Sequence, residues 1–356
     1  MLKILELFGG IGACSKALER LGIDYEIVDY VEIDKYAVKS FNAMHDTNFE
    51  PQDICKWDKD IEVDLIMHGS PCQDFSLAGK QAGGDEGSGT RSSLMYETIR
   101  IAEKLKPKYV IWENVKNLLS KKHRHNFDAY LETMNQLGYT NYYQVLNAKD
   151  YGIPQNRERV FTISVRKDIS KLFTFPPKKE LKLKLKDMLE NEVDEKYYLS
   201  NSQIEYLEYG KYNASKVSNK IKQTDTGICP TLDTMQGGNR QPFIRVKNAT
   251  KKGYLEAYEG DGVYTNVSTK RGTVQKEMIQ TLTTFQDKGV VMNDLRIRKL
   301  TPKEYWRLMG FDDEDFEKVS QVNSNTQLYK QAGNSIVVNV LMAIFKELIK
   351  WFILRY

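Results

Sequence analysis

Through its first 166 residues the chain alternates short apolar runs with amphipathic stretches, and this alternation restricts the fold more than any other feature. The apolar runs predict strands at 3–7, 25–31, 63–67, 109–112, 140–146 and 160–165. The stretches between them predict helices at 14–21, 35–44, 93–105 and 126–137. Strands that alternate with helices build βαβ units around a parallel sheet. The sequence therefore predicts an α/β fold with a Rossmann-like sheet and helices on both faces.

The pattern changes after Arg166, and a length of 356 residues leaves room for a second domain. Residues 166–186 carry eight Lys or Arg against two acids, interrupted by two prolines, which predicts a linker or the wall of a basic surface. Residues 190–295 are polar and rich in Tyr, Thr, Asn and Gly, with no helical period beyond a short candidate at 200–209. They predict a small, β-rich second domain.

Helical patterns return near the end of the chain. Thr301, Pro302 and Glu304 stand in the order of an N-cap, a first helical residue and a capping acid. A last apolar helix is predicted at 336–353, and its apolar run is shorter than the roughly 20 residues that span a bilayer. The first residues predict a strand and a turn rather than a secretory signal. We expect a protein of the reducing cytoplasm.

The composition excludes several classes of protein. With 41% hydrophobic and 28% charged residues, the chain is neither disordered nor fibrous. A net charge of +4 is too small to indicate nucleic-acid binding by itself. The four cysteines form no CxxC pair and the four histidines have no ligand spacing, so we expect neither a zinc site nor a disulfide framework.

The first candidate site is the glycine-dense turn Phe8-Gly9-Gly10-Ile11-Gly12, between the first strand and the first helix. Glycines let the backbone approach a ligand, and helix N-termini favour negative groups. Glu32 ends the next strand, where an acid typically binds ribose hydroxyls, and Asp53 stands where a third strand could end. The G-x-G-x-x-G pattern of dinucleotide binding is absent, and tight strand–helix packing would also explain the glycines.

The second candidate is the segment Gly69-Ser70-Pro71-Cys72, which directly follows the predicted strand 63–67. A lone cysteine is ordinarily an inert small hydrophobe. Here it follows the carboxyl end of a parallel strand, where open α/β sheets hold their ligands. The glycine-rich stretch up to residue 91 is typical of a lid. Together these features favour a nucleophile at Cys72.

Charged residues mark two further strand ends. Glu113 follows the apolar strand 109–112. A charged group at the end of a buried strand is costly unless it has an ion-pair or hydrogen-bond partner, so Glu113 is either paired or functional. Arg157 and Arg159 precede the strand 160–165, and their i, i+2 spacing predicts one shared face that could grip a carboxylate, a phosphate or a base edge. Taken separately, each arginine would be interpreted as a surface residue that forms a salt bridge.

In this order the four segments, together with Arg298–Glu304 (RKLTPKE) and residues 331–335 (QAGNS), resemble DNA (cytosine-5) methyltransferases of the bacterial and phage restriction-modification type. The resemblance covers residues 1–166 and 295–345, and six collinear motifs make it specific. It implies the sheet of a class I methyltransferase that uses S-adenosylmethionine and releases S-adenosylhomocysteine. It also implies that double-stranded DNA is the partner and that a cytosine is methylated at C5 after being flipped out of a specific sequence.

The resemblance assigns roles to individual residues. The Cys72 thiolate would add to C6 of the cytosine, and Glu113 would protonate N3. Arg159, and with it Arg157, would fix the base and the developing charge. The cofactor would contact Phe8, Gly10, Ile11, Gly12, Glu32, Ile33, Asp53, Ile54, Pro71, Leu94, Asn334 and Ser335, with the two isoleucines Ile33 and Ile54 on either side of the adenine.

The same resemblance implies how the chain is organised. Residues 1–170 would form the catalytic domain, 171–310 a target-recognition domain with a hinge at 166–186, and 311–356 a return to the catalytic domain. A monomer is expected, near the nucleoid of a bacterial cytoplasm and without membrane contact. A cognate restriction endonuclease would act on the same site without touching this protein.

The chain departs from the family pattern at some positions. Ser70 stands where relatives often have an aromatic residue, and Ala78 stands where some place a polar side chain that enters the DNA. The residue that fills the gap left by the flipped base is therefore unassigned. The family's Thr-Leu pair occurs twice, as Thr231-Leu232 and Thr281-Leu282, and the second is favoured because it stands nearer Arg298.

Three other functions are considered. A tRNA cytosine-5 methyltransferase has the same fold, but the long segment 167–295 and the missing Cys-Phe-Thr signature disfavour it. A nicotinamide-dependent oxidoreductase is disfavoured by the missing third glycine and by the Pro71-Cys72 segment. A non-catalytic DNA-binding regulator predicts the loss of Cys72 or Glu113, and both are present.

Overall fold

The computed structural model of the chain describes residues 1–71, 87, 90–169, 172–200, 203, 207, 244–265, 273–294 and 296–349. The strands of its first half are β1 (Leu2–Leu7), β2 (Tyr25–Val31), β3 (Leu65–His68), β4 (Tyr109–Val115), β5 (Tyr139–Asn147), β6 (Gln155–Asn156) and β7 (Glu158–Arg166). Six of them form one sheet in the order β2-β1-β3-β4-β7-β5, in which β2, β1, β3 and β4 pair in parallel.

Helices cover both faces of this sheet. They are α1 (Ala13–Arg20), α2 (Lys35–His45), α3 (Met95–Leu105), α4 (Arg124–Gln136), α5 (Pro302–Leu308), α6 (Asp313–Ser320), α7 (Asn325–Asn334) and α8 (Val338–Leu348). One apolar core contains side chains of α1 and α8, and a second core contains those of α3 and α4. Alternate residues of β4 enter the two cores, as a strand with both faces covered requires. The predicted α/β sheet with helices on both faces is confirmed.

The expectation of a purely parallel sheet is wrong for β7, which runs antiparallel to both β4 and β5. Only ten residues, 148–157, separate β5 from β7, and they contain a short 3₁₀ turn and β6 but no α-helix. A parallel crossover needs a dozen or more residues, usually with a helix. The chain therefore turns back on itself at this point.

β4 is longer than predicted, and the difference changes the setting of Glu113. The apolar run ends at Trp112, but the strand continues to Val115 because Glu113, Asn114 and Val115 pair with the antiparallel β7. Glu113 is thus a buried residue inside a strand, and its backbone pairs with that of Phe161 on β7.

The second half of the described chain is rich in short strands. They are β8 (Ile244–Lys247), β9 (Tyr254–Ala257), β10 (Gly262–Tyr264), β11 (Val274–Gln275), β12 (Ile279–Gln280), β13 (Lys288–Val291) and β14 (Ile297–Lys299). A four-stranded sheet has the order β11-β10-β13-β14, and β8 pairs with β9. β12 pairs in parallel with β6 and so joins this part to the first half of the chain. The predicted β-rich character is confirmed here, whereas Thr231-Leu232 and most of the helix candidate at 200–209 lie outside the described residues.

The C-terminal helices return to the large sheet. The predicted cap of α5 is confirmed, since the Thr301 hydroxyl accepts from the Glu304 N–H (3.2 Å) and the Glu304 carboxylate accepts from the Thr301 N–H (2.8 Å). The last helix spans Val338–Leu348 and packs against α1. None of the described helices is long and apolar enough to cross a membrane.

Candidate active site at the carboxyl end of the sheet

The backbone of the glycine turn after β1 adopts positive φ angles at three positions, two of which are glycines. Phe8, Gly10 and Gly12 have φ angles of 52°, 56° and 75°, in the region that favours glycine. A Cβ on Gly9 would lie 2.5 Å from the ring of Tyr30, so a side chain there would collide with β2. The Tyr30 hydroxyl donates to the Gly10 carbonyl oxygen at 2.6 Å. The turn is therefore held closely against β2.

Glu6 of β1 is a buried acid that the sequence patterns did not single out, and it stabilises the start of the helix that follows the turn. The Glu6 carboxylate accepts hydrogen bonds from the Ser15 N–H (3.0 Å) and from the Ser15 hydroxyl. Ser15 is the third residue of α1, so Glu6 caps a helix whose own N-cap, Gly12, has no side chain to do so. Burial raises the pKa of Glu6 to about 7. The sequence does contain a signal for this role, because Glu6 is an acidic residue inside the mostly apolar predicted strand 3–7.

Glu32 lies at the end of β2 and faces the glycine turn. Its carboxylate accepts from the Gly10 N–H (3.1 Å) and from the Asp34 N–H (2.8 Å). Burial raises the pKa of Glu32, and the two N–H donors oppose that shift. The N–H of Gly10 in the turn thus orients the Glu32 carboxylate.

The residues expected around an adenine lie beside Glu32. The Gln52 N–H donates to the Glu32 carbonyl oxygen at 2.8 Å, which brings the segment containing Asp53 and Ile54 alongside Ile33. Ile33 is 70% exposed, whereas Ile54 is buried. The Asp53 carboxylate accepts from the Cys55 N–H and starts a short 3₁₀ turn.

Glu113 and Arg159 form the central ion pair, with 3.0 Å between the Glu113 Oε1 and the Arg159 Nε. Burial raises the pKa of Glu113, while the charges of Arg159 and Arg157 oppose this shift. A Cβ on Gly69 would lie 3.9 Å from the Glu113 Oε2, so the acid lies beside the segment that leaves β3. Pro71 is the last described residue of that segment, and Cys72 lies outside the described residues.

Arg157 and Arg159 have different hydrogen-bond partners. Arg157 lies between β6 and β7, and its guanidinium donates to the carbonyl oxygens of Leu282 (3.2 Å), Gly333 (3.1 Å) and Ser335 (2.8 Å). Arg159 pairs with the Glu113 carboxylate at 3.0 Å, and the charge of Arg157 also opposes the rise in the pKa of that carboxyl.

The Thr281-Leu282 pair lies against the segment that carries Arg157. The Thr281 hydroxyl donates to the Asn156 carbonyl oxygen (2.8 Å), and the Leu282 N–H donates to the Gln155 Oε1 (3.1 Å). A Cβ on Gly333 would lie 2.3 Å from the Thr283 carbonyl oxygen, so a glycine is required where α7 meets this loop. The pair is thus at the junction between the β-rich part and the large sheet.

Three further residues predicted to contact the cofactor come from other parts of the chain. Asn334 and Ser335 lie at the end of α7, and Leu94 lies just before α3. Gln331 of α7 bonds to the Tyr36 carbonyl oxygen and to the Ser40 hydroxyl, each at 2.9 Å, which ties α7 to α2. Asn334 ends α7 and is exposed, and Ser335 follows it in a buried position. Leu94 precedes α3 and packs against the second core.

Comparisons with known proteins agree on one family. A family model described as C-5 cytosine-specific DNA methylase matches residues 2–350. The chain is 33% identical to the orphan methyltransferase M.SPBetaI of Bacillus phage SPbeta, over 99% of this chain and 98% of the phage protein. It is 34% identical to the type II methyltransferase M.HhaI of Haemophilus parahaemolyticus, over 96% of this chain and 93% of that one. The crystal structure of a Spodoptera frugiperda DNMT2 mutant matches with a TM-score of 0.64 and 20% identity, over 98% of this chain and all of that one, which supports the fold.

Proposed function

The chain belongs to the C-5 cytosine-specific DNA methylase family, and from this premise we propose how its residues divide the reaction. The protein methylates C5 of cytosine in double-stranded DNA, with S-adenosylmethionine as the methyl donor. The proposal concerns the residues that bind the cofactor, activate the cytosine and hold the DNA.

The edge formed by β1 and β2 fits an adenosine. The glycine turn brings its backbone close to Glu32, whose carboxylate has acceptor capacity for ribose hydroxyls. Ile33 presents an exposed apolar side chain, which suits one face of an aromatic base. When bound, S-adenosylmethionine supplies an electrophilic methyl group. The residues proposed to hold it are Phe8, Gly10, Ile11, Gly12, Glu32, Ile33, Asp53, Ile54, Pro71, Leu94, Asn334 and Ser335.

Cys72 is the proposed nucleophile. Cytosine C5 is a weak nucleophile because the ring is electron-poor, so the base must first be activated. Addition of the Cys72 thiolate to C6 gives C5 the character of an enamine carbon. The methyl–sulfur bond of S-adenosylmethionine would break as C5 takes the methyl group, and S-adenosylhomocysteine would leave. A base removes the proton from C5, the C6–S bond breaks, and the thiolate is released.

Glu113 is the proposed acid at N3 of the cytosine. Protonation of N3 as the thiolate adds to C6 prevents the build-up of negative charge in the ring. Burial raises the pKa of Glu113 and so favours the protonated form that can donate. Arg159 contacts this carboxylate and is proposed to orient the base and stabilise the developing charge. Arg157 is proposed to hold in place the three segments that surround the base.

The target cytosine must leave the DNA helix to reach these groups, because C6 and N3 are not accessible in a stacked pair. The segment 73–91 and the β-rich part beyond residue 171 are proposed to hold the opened DNA. Thr281-Leu282 is the proposed Thr-Leu pair of the target-recognition domain, since it is bonded directly to the segment before Arg157.

We also propose a division of the chain into domains. Residues 1–170 form the catalytic domain, 171–310 the target-recognition domain with its hinge at 166–186, and 311–356 the return to the catalytic domain. The enzyme is proposed to act as a monomer with the nucleoid in a bacterial cytoplasm. A cognate endonuclease would share its DNA site without contact.

The observation that carries the proposal is the ion pair between the buried Glu113 and the half-buried Arg159, beside the segment that leads to Cys72. The test is methyl transfer from labelled S-adenosylmethionine to duplex DNA or to tRNA by the purified protein. We expect 5-methylcytosine in the DNA and no label above background in the tRNA. Label that enters only tRNA would contradict the proposal and favour the alternative substrate.

A further inference from the structure

Two neighbours of Glu113 on β4 hold the residue that lies two positions before Cys72. The Trp112 Nε1–H donates to the Ser70 hydroxyl at 2.9 Å, and the Asn114 Nδ2–H donates to the Ser70 carbonyl oxygen at 3.2 Å. Side chains alternate along a strand, so Trp112 and Asn114 lie on one face of β4 and Glu113 on the other. Ser70 is therefore attached to the strand immediately before and after the proposed acid.

These groups are removed from water. Trp112 is 1% exposed, Ser70 3% and Asn114 1%. A buried N–H that loses its acceptor carries its full desolvation cost, which makes the hydrogen bond expensive to break. The attachment therefore fixes Ser70 in one place relative to β4.

The indole of Trp112 is itself immobilised by its surroundings. It stacks on the His68 ring with 5.7 Å between centroids and an angle of 4°, and its centroid lies 4.2 Å from that of Tyr130. The two ring nitrogens of His68 lie 3.2 Å from the Tyr130 hydroxyl and 3.3 Å from the Thr98 hydroxyl. Burial lowers the pKa of His68 to about 3, which keeps the ring neutral. The donor of the Trp112–Ser70 bond thus has a fixed position.

This arrangement requires a hydrogen-bond acceptor on the side chain at position 70, and Ser70 supplies it. An aromatic ring at position 70 would leave the Trp112 N–H without this acceptor. In the present chain β4 supplies the ring, and position 70 supplies the hydroxyl that binds it.

We propose that Trp112, through Ser70, is a positioning residue that fixes the spacing between the segment carrying Cys72 and the carboxylate of Glu113. The inference rests on the proposed roles of Cys72 and Glu113. Both groups act on one cytosine ring, at C6 and at N3, so a small shift of one relative to the other lowers the fraction of reactive encounters.

Three variants separate positioning from folding. Trp112→Phe keeps a ring in the stack and removes the N–H donor, Ser70→Ala removes the acceptor, and Ser70→Thr keeps a hydroxyl. Trp306→Phe is the matched control, because Trp306 is also buried and its Nε1–H donates to the Leu328 carbonyl oxygen at 3.1 Å, a bond made between α5 and α7.

The measurement is the single-turnover rate of methyl transfer at saturating S-adenosylmethionine and duplex DNA, with the Kd of each ligand and the Tm recorded alongside. We expect the rate to fall about tenfold in Trp112→Phe and in Ser70→Ala, with both Kd values changed by less than about twofold. The double variant should be no slower than the slower single variant, because both remove one interaction. Ser70→Thr and Trp306→Phe should keep the wild-type rate, although the Tm of Trp306→Phe should fall.

An unchanged rate in Trp112→Phe and Ser70→Ala would overturn the inference, and so would an equal loss of rate in Trp306→Phe. Because Ser70→Ala is a small change, it carries the test even where Trp112→Phe fails to fold. Cys72→Ala is measured in parallel, and full turnover in that variant would refute the proposed function instead. The two failures are therefore distinguishable.

Discussion

In the proposed mechanism Glu113 is both an acid and a partner of Arg159, and these two roles shift its pKa in opposite directions. Burial inside β4 raises its pKa, and the guanidinium 3.0 Å away opposes the increase. The result is a carboxyl group whose protonation responds to whatever binds beside it. A neutral base that displaces water from this edge would further favour the protonated form.

Replacement of Glu113 by Gln should remove the proton donor while keeping the side chain's shape. We expect the single-turnover rate of methyl transfer to fall about 10²–10³-fold, with little change in the Kd for S-adenosylmethionine. In the wild type the rate should decline at high pH as Glu113 ionises, and the variant should lack that decline. A rate within threefold of the wild type would rule out Glu113 as the acid.

Glu6 gives the fold a pH dependence of its own. Its pKa is about 7 in the folded protein and near 4.3 in an unfolded chain, so the folded state binds more protons between these values. Stability from this group is complete below about pH 4 and is lost as pH rises through 7, by at most about 4 kcal/mol.

Urea unfolding at pH 5 and pH 8 tests this assignment. Glu6→Gln keeps a hydrogen-bond acceptor for Ser15 and cannot ionise, so the variant should gain stability relative to the wild type on going from pH 5 to pH 8. Glu256→Gln on β9, where the half-buried Glu256 pairs with Lys252, serves as the control and should show no such gain. An identical pH dependence in the wild type and Glu6→Gln would refute the role given to Glu6.

At the level of helices and strands, Arg157 joins three separate parts of the chain. Its guanidinium binds the loop after β12 through Leu282 and the end of α7 through Gly333 and Ser335. The planar guanidinium has five donors in a fixed geometry, whereas a lysine ammonium is a single point of charge on a flexible stem. The three carbonyl groups therefore specify arginine.

Arg157→Lys should accordingly destabilise the protein by about 2–4 kcal/mol, because buried carbonyl groups lose their donors. The measurement is the free energy of unfolding in urea. Arg296→Lys is the matched control, since Arg296 is exposed, pairs with Asp294 and Glu195 on the surface and lies over the Tyr198 ring, where a lysine keeps the positive charge. It should change stability by less than about 0.5 kcal/mol. Equal effects of the two substitutions would contradict the joining role.

The sequence predicted most of the elements and several of their ends, because periodicity and caps are local signals. The Thr301 cap is an example, since its residues are adjacent in the chain. The direction of β7 and the true end of β4 depend on pairing between distant strands, which no local pattern encodes. The contacts of Arg157 were unpredictable for the same reason, since their acceptors lie more than 120 residues away.

Across the whole molecule, the basic segment 166–186 does not lie along one surface. Arg166 ends the antiparallel strand β7. It and Lys167 therefore lie at the amino ends of the parallel strands, whereas the glycine turn lies at their carboxyl ends. The Lys179 N–H donates to the Asp150 carbonyl oxygen beyond the end of β5, which brings the later lysines to the edge that carries the site. Only the later part of the segment is placed to meet DNA there.

Charge reversal tests this division of the basic segment. Lys182→Glu with Lys186→Glu should weaken DNA binding and lower the slope of log Kd against log salt by about 2. Lys104→Glu with Lys167→Glu makes the same change in net charge at the opposite edge and should leave the slope within about 0.5 of the wild type. Equal slopes for the two double variants would contradict the assignment of the DNA-binding edge.

The motifs predict the class of site, because the types of residue and their order in the chain indicate a class of reaction. Its geometry was less predictable, as Glu6 and Trp112 show. Both act through hydrogen bonds between segments, and in the sequence each is only a residue inside a strand. The β-rich part was predicted only as a class, since its strands are short and have weak periodicity.

Trapping of the covalent intermediate tests the central claim most directly. Duplex DNA with 5-fluorocytosine at the target position has no C5 proton to remove, so the adduct cannot resolve after methyl transfer. With S-adenosylmethionine present, mass spectrometry should find one DNA adduct per protein chain, on the peptide that contains Cys72, and none in Cys72→Ala. An adduct on another residue, or methylation of ordinary cytosine by Cys72→Ala at the wild-type rate, would contradict the account.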